Sequence, residues 1–113
     1  MTAAATLTKF SDAIDRQDWP GLLTLLAPGF AGHYVHDGQR FDRDSFVAFN
    51  RAYPGSWRFR WVDVVDAGDR AVGRAEVADG TETYYVASFI TVDTAGKITD
   101  LTEVWTDAVP ATG

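Results

Sequence analysis

The stretch Gly96-Lys97-Ile98-Thr99-Asp100-Leu101-Thr102-Glu103-Val104-Trp105 reads as a turn that opens a β-strand. Side chains alternate along a strand, so Leu101, Glu103 and Trp105 share one side. One carboxylate therefore stands between two large apolar groups. If that side faces the interior, Glu103 occupies a place where a charge is costly unless it has a partner or a task. This makes Glu103 the leading candidate for a functional residue, and its strand is the last of a series.

Working back from Gly96, the period stays at two as far as Trp57. Strand-like segments run over Trp57 to Val65, Arg70 to Ala78, Glu82 to Val92 and Lys97 to Asp107. They are separated by Ala67-Gly68-Asp69, Asp79-Gly80 and Asp93-Thr94-Ala95-Gly96, and connections this short predict an antiparallel meander. Further back, Ala31 to Phe41 reads as a short strand with an Asp37-Gly38 turn, which puts Tyr34 and His36 on one face and His33 on the other.

The remaining segments have helical spacing. Leu7, Phe10 and Ile14 form the apolar stripe of a helix from about Thr6 to Gln17. Asp18 can cap a second helix with Pro20 in its first turn, carrying Leu22, Leu23, Leu25 and Leu26 until Pro28-Gly29. Asp42 or Asp44 can cap a third, with Phe46, Phe49 and Tyr53 on one side and Pro54-Gly55 as its stop. Helices first and a meander afterwards predict an α+β domain: three helices packed on one face of a curved, mostly antiparallel sheet, with residues 1–113 as a single domain.

Composition narrows the function. A chain of 113 residues, 46% hydrophobic and 13% aromatic, is long enough to fold on one core and has rings to spare for a cavity wall. A net charge of -6 argues against nucleic acid or an anionic membrane as partner. Without cysteine there are no thiolate ligands or Cys nucleophiles, and two histidines make a His-rich zinc site a poor expectation. No metal and no cofactor is expected. The first residues, Met1-Thr2-Ala3-Ala4-Ala5-Thr6, lack the basic and apolar regions of a signal peptide, and no apolar run reaches membrane-spanning length, so the expected location is cytoplasmic.

The order helix, helix, short hairpin, helix, four strands resembles the nuclear transport factor 2-like superfamily, a cone-shaped α+β fold, over nearly the whole chain. The segments that carry the resemblance are Gln17-Asp18-Trp19-Pro20-Gly21-Leu22-Leu23-Thr24-Leu25-Leu26 and the closing Gly96 to Trp105. Within the superfamily the chain looks most like the SnoaL-like branch, which includes polyketide cyclases, and it is similar in arrangement to ketosteroid isomerases and limonene epoxide hydrolases. The resemblance implies a pocket between sheet and helices and pairing of subunits through the outer sheet face. The ketosteroid isomerase positions fall on Phe10, Tyr34 (or His36) and Ser88, so neither the oxyanion donors nor the general base of that chemistry is present. The epoxide hydrolase pattern implies Arg74-Ala75-Glu76 and Glu103 as an arginine between two cavity-facing carboxylates, with glutamates in place of aspartates, while Gly32 and Tyr34 fall where that family holds its water.

Two function classes remain open. The first is an acid/base enzyme, such as a cyclase, isomerase or epoxide hydrolase, acting on a small apolar molecule. In it Glu103 serves as base or acid, Arg74 holds the carboxylates, Glu76 is the second acid/base group, and Tyr34 or His36 donates to a substrate oxygen. Phe10, Trp61, Tyr84, Ser88, Leu101 and Trp105 are the expected substrate-lining residues. The second is a ligand-binding or structural protein without turnover. Trp, Tyr and Phe on both faces of the meander point to a homodimer in either case.

Overall fold

The computed structural model describes residues 2–107 and the backbone of 109–110. Helix α1 (Ala3–Asp15) starts where the Thr2 hydroxyl accepts from the Ala5 N–H. Helix α2 (Trp19–Leu25) starts at Asp18, whose carboxylate accepts from the Gly21 N–H at 3.0 Å, with Pro20 in the first turn. It ends at Leu25 rather than at Pro28-Gly29. The chain passes directly into β1 (Leu26–Tyr34), and Pro28, which has no N–H to give, falls where the pairing of that strand is irregular, between Leu26 and Ala31.

The Asp37-Gly38 turn returns β1 to the short β2 (Arg40–Phe41), with Gly38 at φ +76°. Helix α3 (Arg43–Ala52) begins on a reciprocal cap: the Ser45 N–H donates to Asp42 Oδ1 at 2.8 Å and the Asp42 N–H to Ser45 Oγ at 2.9 Å. The meander follows as β3 (Arg58–Ala67), β4 (Arg70–Ala78), β5 (Glu82–Val92) and β6 (Ile98–Trp105), and β7 (Val109–Pro110) pairs with β5. The sheet order is β2-β1-β6-β5-β4-β3. All pairs in this path are antiparallel except β1 with β6, so the sheet is mixed and the strand bearing Glu103 is bonded on both sides.

Ladder partners point to the same face. Val64, Gly73, Ser88, Glu103 and Tyr34 are successive partners across β3, β4, β5, β6 and β1. This row lies on the helix side, where Leu7, Phe10, Leu22 and Phe46 of the three helices are buried with Ile90, Ile98 and Leu101 of the sheet. A Cβ at Gly73 would come within 2.6 Å of the Trp61 ring and 2.8 Å of the Leu7 side chain, so α1 lies on bare backbone there. Gly73→Val should cost about 1–3 kcal/mol through overpacking, read as a lowered urea midpoint; an unchanged midpoint would contradict the close approach.

Among the described residues no helix packs on the other face of the sheet. Val65, Val72, Tyr85, Phe89 and Val104 are exposed there, with Val65, Val72 and Phe89 adjacent in one row. No helix among the described residues is long and apolar enough to cross a membrane.

Candidate functional site

Between the helices and the sheet lies a cavity of about 520 Å³. Phe10 and Ile14 of α1, Phe46 and Phe49 of α3, and Phe59, Val77, Tyr84 and Trp105 of the sheet form its walls. Exposed Gln17, Asp37, Gln39, Gly55 and Asp107 form its rim.

Glu103 reaches this cavity from the middle of the sheet and is only 1% exposed. The Ser88 hydroxyl donates to its Oε2 at 2.5 Å, and the Trp105 indole N–H donates to its Oε1 at 3.2 Å. Among the described residues no ion pair includes it. Burial pushes its pKa up to about 7, against the pull of these two hydrogen bonds, which favour the ionised form.

Tyr34 is opposite Glu103 across the parallel pair and is 5% exposed. Burial first, and the nearby Glu103 second, hold its hydroxyl well above the ordinary tyrosine range, so it remains an O–H donor at neutral pH. His36 lies past the end of β1, at the rim. Its ring stacks on Tyr34 with centroids 5.6 Å apart, its Nδ1 accepts the Trp105 backbone N–H at 3.2 Å, and its Nε2 is 3.6 Å from Asp37 Oδ2. Of the two alternatives, Tyr34 stands beside the carboxylate and His36 at the entrance.

The expected group of Arg74, Glu76 and Glu103 does not form. Residues 71, 73, 75 and 77 face the helices, so alternation turns Arg74 and Glu76 to the outer face. Arg74 is exposed, and Glu76 pairs instead with Arg60 at 2.7 Å. Three lining residues also need correction. Trp61 packs under α1, where its indole N–H donates to Ser11 Oγ at 2.8 Å, and Leu101 is enclosed in the core beside its ladder partner Ile90. Ser88 is fully buried, and its hydroxyl is committed to Glu103 rather than to the cavity wall. Phe10, Tyr84 and Trp105 do line the cavity.

The walls also contain Trp57 and Tyr53, which the sequence left unassigned to a cavity. The Pro54-Gly55 stop folds the chain back so that their rings stand 6.2 Å apart, and the Trp57 indole N–H donates to the Pro54 carbonyl at 2.8 Å. A hydrogen bond with Tyr53, and burial after it, push Tyr84 up to about 12.

The model of the SnoaL-like domain matches residues 7–101. No curated protein sequence matches the chain. Among solved structures, a candidate ketosteroid isomerase from Kribbella flavida is similar with 24% identity and a TM-score of 0.86, covering 98% of this chain and 83% of its own. A candidate polyketide cyclase from Streptomyces antibioticus has 16% identity and a TM-score of 0.81, with 95% and 94% covered. An epoxide hydrolase of the LEH-like type from M. tuberculosis has 15% identity and a TM-score of 0.77, with 92% and 82% covered. At these identities the likeness shows the α+β fold.

Proposed function

The chain belongs to the SnoaL-like domain family, and from that premise we propose that it encloses a small, largely apolar molecule and acts on it by acid/base chemistry through Glu103. The observation that carries this reading is a carboxylate, the single buried one and without an ion-pair partner among the described residues, at an aromatic-walled cavity and with its pKa pushed up to about 7. A proton-transfer group works best when its pKa lies close to the working pH. Ionised, Glu103 takes a proton from a carbon or water; protonated, it returns one. Tyr34, neutral and adjacent, donates a hydrogen bond to the substrate oxygen on which charge develops. Ser88 and Trp105 hold the carboxylate in place.

The test uses 2-tetralone, an apolar bicyclic ketone with acidic α-hydrogens, in deuterated buffer. The protein should speed deuterium uptake, with a rate that rises through an inflection near the Glu103 pKa of about 7. Uptake at the buffer rate, with the ketone demonstrably bound, would replace the enzyme reading with a binding protein.

The outer sheet face supports a homodimer. Its exposed Val65, Val72, Phe89 and Val104 form a surface that a second copy would cover, as the family resemblance implies. Sedimentation at micromolar concentration should give twice the chain mass; a monomer there would remove the proposal.

A further inference from the structure

We infer that the cavity takes an organic cation, an ammonium group carried on an apolar body, with Glu103 as its counter-ion and the surrounding rings as its cage. The inference rests on the reading of this cavity as a ligand site and adds the charge of the ligand.

The first ground is the charge of the walls. Among the described lining residues the carboxylates are Glu103 on the inside and Asp37 and Asp107 at the rim, and none is Lys or Arg. All ten Lys and Arg side chains lie elsewhere on a chain whose net charge is -6. A carboxylate or phosphate ligand would meet three acids and no Lys or Arg, with His36 beside Asp37 as the one imidazole in the lining, whereas a cation would be drawn in.

The second ground is the state of Glu103. Two neutral donors satisfy its oxygens, but among the described residues no ion pair balances it in the ionised form. A buried charge without an opposite partner is strongly disfavoured, and a ligand ammonium would supply that partner.

The third ground is the arrangement of rings. Phe59, Trp105, Tyr84, Trp57 and Tyr53 form a continuous chain of contacts with centroid distances of 6.2, 6.2, 5.2 and 6.2 Å. Tyr34 adds a ring 6.4 Å from Trp105 on the Glu103 side. Several aromatic rings around one small volume attract a cation that has shed its water to their faces, and tryptophan is the best of them.

The experiment compares benzyltrimethylammonium with neopentylbenzene, its neutral isostere, by quenching of tryptophan fluorescence at about pH 8.5, above the Glu103 pKa. The cation should bind the wild-type protein at least about tenfold more tightly. In Glu103→Gln, with circular dichroism confirming the fold, the preference should shrink to about twofold or less. Equal or tighter binding of neopentylbenzene to the wild type would overturn the inference and leave the apolar-cavity reading standing. A preference that survives in Glu103→Gln would overturn the counter-ion role. If neither probe bound, the ligand-site reading itself would fall.

Discussion

Glu103→Gln should slow deuterium uptake into 2-tetralone by about 10²–10⁴-fold while leaving the affinity for the ketone little changed. The amide matches the carboxylate in shape, and its two ends can keep the same neighbours. The amide oxygen still accepts from the Trp105 indole N–H, and the amide NH₂ faces Ser88, whose hydroxyl can turn to accept. What disappears is the proton exchanged near neutrality. A residue that only shaped the cavity would show the opposite division, with weaker binding and rate at saturation nearly retained. Stopped-flow or NMR exchange measured above and below the dissociation constant separates the two.

The same variant should be more stable than the wild type at high pH and lose that advantage in acid. Glu103 has an ordinary value of 4.5 and is raised to about 7 in the folded chain, so between these values the native state binds more protons than the unfolded state. The neutral carboxyl therefore supports the fold fully below about 4.5, and this support is lost progressively as pH rises to about 7. The loss amounts to about 3 kcal/mol, and glutamine does not incur it. The stability difference between variant and wild type should accordingly grow by about that amount between about pH 4 and pH 8, in urea titrations where the other carboxylates cancel. A difference that stays constant over this range would mean that Glu103 does not titrate with a raised pKa.

Much of this arrangement was legible from alternation alone. Leu101, Glu103 and Trp105 share a face in the sequence pattern, and the structure places all three on the helix side. The cap at Asp18 was readable because it depends on residues three apart, and of the two candidates for the third helix, Asp42 and Asp44, the structure selects Asp42. The Arg74 and Glu76 reading failed because a family pattern was given precedence over the local one: Ala71, Gly73, Ala75 and Val77 already mark the inner face of β4.

Other features depend on distances no local pattern contains. The parallel pairing of β1 with β6 joins segments about seventy residues apart, and it alone puts Tyr34 beside Glu103. Trp61 was the expected lining residue of β3, yet Phe59 lines the cavity and Trp61 lies under α1, because the bare backbone at Gly73 brings Leu7 down at that point and β3 has a register shift just after Trp61. His36 shares the face of Tyr34 by alternation, but the strand ends at Tyr34 and the histidine turns to the rim. The sequence put Trp, Tyr and Phe on both faces of the meander, and the structure leaves Tyr85 and Phe89 exposed on the outer one.

The account depends on a buried carboxyl poised to exchange a proton near neutrality. The direct measurement is a carbon NMR titration of the glutamate side-chain carboxyls, with Glu103 assigned by its absence from Glu103→Gln. A Glu103 resonance with its midpoint at about 7 is the predicted result, and a midpoint at the ordinary 4.5 would contradict the account.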